Sequence, residues 1–308
     1  MKYFDLHCDT AYELYARREK LSGNSLNITS EKISSFAPYV QLAAYCAPEG
    51  DSNDEAYEKF FHVRDYFLKE LEENAFKLCS SAEEIESCAN SAVPAFVLTV
   101  EDARILDGSL CRIETLYNAG VRVITPLWGG ETVIGASHES DGGLTSFGKE
   151  ALHLCAELGI ITDISHASQG SADDIINIAL SHGMPTIASH SCAYSVHGHS
   201  RNIRDEHLRA VADSGGIVGV NLYPPHLTGT SASLTDAVNH ISYFVHAVGE
   251  DKVALGCDFD GMGIFTEGGE DVSCIPSLAQ KMRSCGMSES LCEKILFENA
   301  YAFFKKHL

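Results

Sequence analysis

Short apolar segments rich in β-branched residues recur eight times along this chain of 308 residues, and segments with helical periodicity separate them. The eight segments are Tyr3–Asp9, Val40–Tyr45, Ala95–Glu101, Val121–Leu127, Ile160–Ser165, Pro185–Ser191, Gly216–Tyr223 and Val253–Asp260. Most of them are apolar on both faces, which is typical of buried parallel strands. The alternation predicts a single α/β domain over residues 1–308, folded as a (β/α)8 TIM barrel.

Helical periodicity is clearest in four of the segments between the predicted strands. They are Asp54–Lys77, Phe147–Leu158, Ile203–Asp213 and Thr235–Val248. Gly159 follows the second of these, in the position where a helix commonly ends. Arg18–Ser35 and Asp260–Pro276 are predicted to be long loops at the carboxyl ends of strands one and eight. An open doubly wound sheet is the alternative, but it needs a Gly-rich phosphate turn after the first strand, and HCDTAYEL is not one.

The charge balance and the cysteines restrict the class of protein. A net charge of -21, from 22 basic and 43 acidic residues, repels nucleic acid and anionic lipid, so neither is an expected partner. No secretory signal is visible at the start, and no apolar segment approaches the ~20 residues of a membrane helix. The eleven cysteines contain no CxxC pair and are expected to be reduced thiols. These features predict a cytoplasmic protein that does not bind membranes.

Metal-ligating or acidic residues stand at the carboxyl ends of five of the predicted strands. They are His7 and Asp9, Glu101, His166, His190 and Asp258. In a barrel these strand ends converge on one bowl, so the side chains are expected to meet there. Alternation along strand one puts His7 and Asp9 on one face and Cys8 on the other. Cys8 and Cys257 are therefore predicted to be packing thiols that point toward the helices.

Other polar residues have a weaker link to this bowl. Six histidines in helical patterns are predicted to be surface or packing residues: His62, His153, His182, His207, His240 and His246. Asp163 either supports the site from below or bonds backbone at the rim, and Asp260 either joins Asp258 or shapes the following loop. A lone histidine in a strand is usually structural, so the prediction of a site depends on the coincidence of five strand ends.

The gathered imidazoles and carboxylates suit two divalent ions that accept nitrogen and oxygen ligands, with zinc the favoured metal. Two such ions, ~3.5–4 Å apart, can share a carboxylate and a hydroxide, which is a strong nucleophile at neutral pH. A nearby carboxylate must then take the proton of the hydroxide and later protonate the leaving amine. The sequence thus predicts a two-metal hydrolase that cleaves a small amide.

The chain resembles the renal or membrane dipeptidases, which are zinc dipeptidases of the amidohydrolase superfamily (peptidase family M19). The resemblance extends almost from end to end, with the motifs in the family's order and spacing. They are DLHCDT, VEDA, GVRVITPLW, GLTSFGKEAL, DISHAS, ASHSCAYSVHGHSRNIRDE, GIVGVNLY, LGCDFDG, EGGEDVS and ENAYAFF. The resemblance implies a metallo-dipeptidase, and family analogy suggests a homodimer. The sequence leaves open whether a D-residue is accepted at the C-terminal position of the dipeptide.

The resemblance also implies a role for each site residue. His7 and Asp9 would bind one metal ion, His166 and His190 the other, and Glu101 would bridge the two. Asp258 would handle the proton of the bridging hydroxide as a catalytic residue beside Glu101.

Two further residues match substrate-binding positions of the family. Arg201 would grip the substrate carboxylate with two parallel hydrogen bonds, and Tyr223 would line the pocket. The alternative for Arg201 is a surface ion pair with Asp205 or Glu206.

The sequence departs from the family at one substrate-binding position. The better-known members have a histidine near the end of strand four that hydrogen-bonds the scissile carbonyl, and alignment of GVRVITPLW puts Trp128 there. An indole N–H donates a hydrogen bond but carries no charge. Trp128 is therefore expected to form pocket wall or to supply a neutral donor, and His138, ten residues on, is the candidate replacement.

Two other functions stay open at this point. The first is another amidohydrolase activity on a small amide or ester; many such enzymes have HxH on strand one, and the binuclear ones often have a modified lysine bridge. This chain has HxD, and none of its predicted strands ends in lysine. The second is a catalytically weak protein that binds metal or peptide, against which the presence of Asp258 counts.

Overall fold

A computed structural model describes all 308 residues and contains nine strands, all of them parallel. The strands are β1 Tyr3–Cys8, β2 Tyr39–Cys46, β3 Lys77–Leu78, β4 Ala95–Glu101, β5 Val121–Thr125, β6 Ile161–Asp163, β7 Thr186–Ile187, β8 Val218–Val220 and β9 Val253–Leu255. Each of the eight predicted segments contains one strand, and only β3 was missed. The last four strands are shorter than predicted, because pairing stops before the polar residues that end each segment.

Eight of these strands close into a barrel. Their order is β7-β6-β5-β4-β2-β1-β9-β8, and a bridge between Ala188 and Val218 joins the two ends of that series. The extra strand β3 pairs with the amino-terminal end of β4, where β5 has not yet begun. The predicted (β/α)8 barrel is therefore confirmed, and the open doubly wound sheet is excluded.

Thirteen α-helices surround the barrel or close its ends. They are α1 Thr10–Arg17, α2 Ser30–Ile33, α3 Asn53–Glu73, α4 Ala82–Ser91, α5 Cys111–Asn118, α6 Ser146–Glu157, α7 Gln169–Ser181, α8 Asp205–Asp213, α9 Pro224–Leu227, α10 Leu234–Val248, α11 Ile275–Ser284, α12 Glu289–Glu293 and α13 Asn299–His307. None of the helices is both long and apolar enough to cross a lipid bilayer.

The four predicted helices are present, with shifted ends. Helix α3 begins one residue early because Ser52 and Glu55 form a capping box, and it ends four residues before the predicted Lys77. Gly159 follows α6 with a φ of 77°, as expected for a glycine that ends a helix. The two predicted loops are partly helical: the first contains α2, and the second contains a 3₁₀ turn at Val272–Cys274 and the start of α11.

Apolar side chains fill the barrel interior. One buried cluster has members from all around the barrel, including Phe4, Leu42, Val97, Val123, Ile161, Ile187, Ile217 and Ala254. Residues from opposite strands can touch only inside the barrel. Phe304 of α13 stacks on Phe4, with ring centroids 5.2 Å apart, and so closes the amino-terminal end. The carboxyl-terminal end stays open as the bowl of the predicted site.

An irregularity in β1 sets the direction of its last residues. Phe4 and Leu6 belong to the interior cluster, so regular alternation would turn His7 outward. The pairing to β2 shifts between Asp5 and Cys8, where three steps along β1 match two along its neighbour. This extra residue is a β-bulge, and it turns His7 into the mouth of the barrel.

Candidate active site

The five predicted metal ligands meet at the mouth of the barrel in two groups that share Glu101. His7, Asp9 and Glu101 form one group, and Glu101, His166 and His190 form the other. Oε2 of Glu101 lies 3.5 Å from Nε2 of His7, while Oε1 lies 3.0 Å from Nε2 of His166 and 3.4 Å from Nε2 of His190. Each carboxylate oxygen of Glu101 therefore faces a different group.

Hydrogen bonds fix the tautomers of two histidines. Nδ1 of His166 lies 3.1 Å from the carbonyl oxygen of Trp128, which can only accept, so this nitrogen must carry the proton. Nδ1 of His190 lies 2.7 Å from Oγ of Ser189, whose own proton is donated to Asp163. Nδ1 of His190 must then be the donor to Ser189. Both Nε2 atoms consequently present lone pairs to the site.

The donor set fits divalent cations. The Nε2 atoms of His166 and His190 lie 3.0 Å apart, and both face a carboxylate oxygen of Glu101. Because each of these atoms presents a lone pair, the arrangement is repulsive without a cation between them. Nε2 of His7, Oδ1 of Asp9 and Oε1 of Glu101 are buried and have no hydrogen-bond partner. Unpaired buried polar atoms are costly, and coordination of metal ions would satisfy all three.

The electrostatics of the two groups differ. Burial opposes a charge on His7, but Glu101 and Asp9 raise its pKa well above the usual value. Burial, with the positive charge of His7 and then of Arg201, holds the pKa of His190 well below its usual range. Burial also opposes the charge of Glu101, but the surrounding histidines, His7 first, hold its pKa well below the ordinary value. Glu101 is therefore an ionised carboxylate between the two groups.

Asp258 lies beside both groups and faces the cleft. Its Oδ1 is 3.8 Å from Nε2 of His7, and 16% of its side chain is exposed. Burial raises the pKa of this carboxyl to about 8; Asp9 and Glu101 add to the effect, and His7 opposes it. The backbone at Gly261 passes so close that a Cβ there would collide with carboxylate oxygens of both Asp9 and Asp258.

A cleft of about 590 Å³ opens above these residues. All four predicted substrate-binding residues line it, namely Arg201, Tyr223, Trp128 and His138. This volume suits a small ligand, and no lysine lines the cleft.

Arg201 is buried, with 4% of its surface exposed. Its Nη1 donates to Oγ of Ser191 at 3.1 Å and its Nη2 donates to the carbonyl oxygen of His190 at 2.9 Å, while Nε has no partner. The alternative of a surface ion pair is wrong, since Asp205 pairs with Arg209 and Tyr243 instead. Arg201 is thus a buried cation at the cleft with an unused donor.

Trp128 and His138 both contact His166, one of the predicted metal ligands. Trp128 does so through its carbonyl oxygen, and the backbone N–H of His138 donates to the carbonyl oxygen of His166 at 2.7 Å. Nδ1 of His138 lies 3.0 Å from Oγ of Ser200, and burial followed by Arg201 lowers its pKa to about 3. His138 is therefore a neutral imidazole at the rim.

The two aspartates that the sequence left ambiguous have different roles. Asp163 is fully buried and supports His190 from below through Ser189. Asp260 accepts hydrogen bonds from Oγ1 of Thr10 and from the backbone N–H of Asn27, and so holds the loop after α1. His226 also lines the cleft, from α9; it was not predicted, because no sequence motif distinguishes it.

Comparison with known proteins identifies the class and then the family. The dipeptidase AC, a metallopeptidase of family M19, superposes with a TM-score of 0.92 at 26% identity, over 100% of this chain and 98% of that one. A metallopeptidase of Rhodobacter sphaeroides gives 0.91 at 24% identity, over 100% and 99%. This chain thus has the TIM-barrel fold of these metallopeptidases.

The chain also has relatives in sequence. A protein of Klebsiella pneumoniae, described only by its position in the pqqA 5′ region, is 36% identical over 236 residues, which cover 72% of this chain and 86% of that protein. An uncharacterized dipeptidase of Schizosaccharomyces pombe is 33% identical over 212 residues, 63% of this chain and 50% of that one. The family model of the membrane dipeptidases, peptidase family M19, matches residues 1–307. The chain belongs to this family, and its members are metal-dependent dipeptidases, as the sequence predicted.

Proposed function

We propose that this protein hydrolyses dipeptides with two divalent ions, preferably zinc, one held by His7, Asp9 and Glu101 and the other by Glu101, His166 and His190. The proposal depends above all on Glu101, whose two oxygens face two separate ligand groups. When bound, the ions would supply an activated water as nucleophile and polarise the scissile carbonyl.

Arg201 would bind and orient the dipeptide. Its buried charge and its unused Nε donor suit the C-terminal carboxylate of a dipeptide, which binds a guanidinium fork through two hydrogen bonds. The closed barrel below and the cleft walls, including Trp128 and Tyr223, would limit the substrate to a short peptide. The Rhodobacter sphaeroides metallopeptidase was solved with a phosphinate mimic of L-Ala-D-Ala, which supports a substrate of this size.

Asp258 would move the proton. Its carboxylate faces the cleft beside His7, outside the two groups that share Glu101. In that position it would accept a proton from the attacking water and deliver it to the leaving amine, which is otherwise a poor leaving group.

The structure disfavours both alternative functions. An amidohydrolase with a modified lysine bridge is disfavoured, because no lysine lines the cleft. A protein that only binds metal or peptide has no use for a proton-transfer carboxylate beside the ligands.

The experiment is a screen of L-L and L-D dipeptides with the zinc-loaded protein, together with elemental analysis and a panel of small esters and cyclic amides. We expect close to two ions per chain, turnover of dipeptides, and loss of turnover after chelation. A folded and active protein with one ion or none would reject the two-metal site. Turnover of the esters or cyclic amides, without turnover of any dipeptide, would contradict the proposed dipeptidase function.

A further inference from the structure

His226 presents a single hydrogen-bond donor to the cleft. The residue belongs to α9, just after β8, and its Nδ1 lies 2.9 Å from Nδ2 of Asn221. The orientation of that amide is fixed, because Oδ1 of Asn221 accepts a hydrogen bond from the backbone N–H of Tyr223 at 3.2 Å. Nδ2 of Asn221 must then donate to Nδ1, and Nε2 of His226 carries the proton. No protein group accepts that proton.

The imidazole of His226 is neutral and held in place. Burial, and then the positive charge of Arg201, keep its pKa well below the usual value. The ring packs edge-on against Tyr223, with centroids 4.9 Å apart, and lies 5.0 Å from the ring of His199. A neutral donor can stand beside Arg201 without the repulsion that a second cation would cause.

The nearby guanidinium cannot satisfy a carboxylate alone. Nη1 and Nη2 of Arg201 are each partly used by Ser191 and His190, whereas a carboxylate offers about four acceptor positions. Both side chains line the cleft, and the ring of His199 connects the two residues: its Nδ1 accepts a hydrogen bond from the backbone N–H of Arg201 at 3.1 Å, and its centroid lies 5.0 Å from that of His226. We infer that Nε2–H of His226 donates to the C-terminal carboxylate of the dipeptide, alongside Arg201. This inference rests on the proposed dipeptidase function.

The test compares two substitutions in the metal-loaded enzyme with L-Ala-L-Ala and L-Ala-D-Ala as substrates. His226→Phe removes the donor but keeps an aromatic ring of similar shape. A hydrogen bond to a charged group corresponds to a rise in KM of about 10- to 100-fold, and kcat should change little. His226→Gln keeps an N–H donor and should restore KM to within about fivefold of wild type, an order-of-magnitude expectation for a retained hydrogen bond.

Three controls separate this role from a structural one. The amide of the same dipeptide has no carboxylate, so its kcat/KM should be the same in wild type and His226→Phe. His197 is a half-buried residue of the loop between β7 and α8, and it does not line the cleft. His197→Phe should therefore behave as wild type. Should His226→Phe fail to fold, His226→Asn, whose amide is too short to reach the substrate, serves the same test.

The possible results are distinct. An unchanged KM in His226→Phe, an equal loss for the dipeptide and its amide, or a fall confined to kcat would each overturn the role of His226. Absence of dipeptide turnover in the wild-type enzyme would instead overturn the proposed function together with this inference.

Discussion

Two buried aspartates lie beneath the two halves of the candidate metal centre, and they have the same number of partners. Asp5 accepts hydrogen bonds from four donors, in Tyr3, His7, Gln41 and Cys257. Asp163 accepts from four donors as well, in Thr125, Ser165 and Ser189, the last with two. In each case, one of the four donors is the backbone N–H two residues further along the chain. As structural supports the two are closely matched.

The two aspartates differ in how each one holds the neighbouring histidine of the candidate metal centre. Asp163 is linked through Ser189 to Nδ1 of His190 and so sets the tautomer of that imidazole. Asp5 contacts only the backbone N–H of His7, whose direction is set by the bulge in β1. His190 is therefore oriented by side chains, and His7 by the main chain. This distinction predicts which substitutions change metal binding and which change only stability.

Glu101 is the residue that both halves share, so its substitution should have the largest effect. Glu101→Gln keeps the shape but puts an amide nitrogen, which cannot coordinate, toward one of the two groups. We expect loss of at least one ion and of nearly all turnover, measured by elemental analysis and a dipeptidase assay. Glu70→Gln is the control, since Glu70 is buried, does not line the cleft and accepts a hydrogen bond from the backbone N–H of Leu21. Two retained ions with a normal rate would show that Glu101 does not bridge.

Substitution of Asp258 tests whether this residue is a further metal ligand. Asp258 forms a third group of potential ligands with His7 and His190, but its proposed role is proton transfer. Asp258→Asn preserves volume and should keep both ions, while kcat falls by ~10²–10⁴-fold and KM changes much less. Parallel measurement of ion content and kcat decides the matter. If ions and activity are lost together, Asp258 is a ligand and another group must move the proton.

Asp163 and Ser189 test the side-chain link to His190. In Asp163→Asn the amide nitrogen opposes at least one of four donors, and in Ser189→Ala the partner of Nδ1 is gone. Loss of such an outer partner typically weakens metal binding by ~10–100-fold, so both variants should require more zinc for half-saturation in a competition titration with a chelator. Wild-type affinity in both variants would mean that the link to His190 is structural only.

The sequence predicted the parts of this site that follow from strand ends, and missed those that follow from local geometry. Glu101 ends a strand whose pairing to β2 is regular along its whole length, so both its place and its direction could be expected. The position of His7 at the mouth of the barrel could be predicted, but the direction of its side chain could not. That direction depends on a β-bulge, a pairing irregularity that no residue type in the sequence indicates. Support of the site by Asp163 was one of two alternatives, but its link to His190 was not predicted, because it passes through a serine on a neighbouring strand segment. His226 follows β8 in a helix of four residues, and its meaning depends on the amide of Asn221.

Asp5→Asn gives the smallest expected effect on metal binding and is the matched control for Asp163→Asn. All four partners of Asp5 are donors, so an amide nitrogen there would face another donor in a fully buried position. An unsatisfied buried polar group costs ~1–3 kcal/mol, and the free energy of unfolding should fall by about that amount in both aspartate variants. Urea unfolding at one fixed zinc concentration measures this loss. Zinc affinity should nevertheless stay near wild type in Asp5→Asn, because the bulge and the pairing of β1 to β2 still direct His7. If Asp5→Asn weakens zinc binding as much as Asp163→Asn does, the main chain does not orient His7 by itself, and both halves depend on their buried aspartates in the same way.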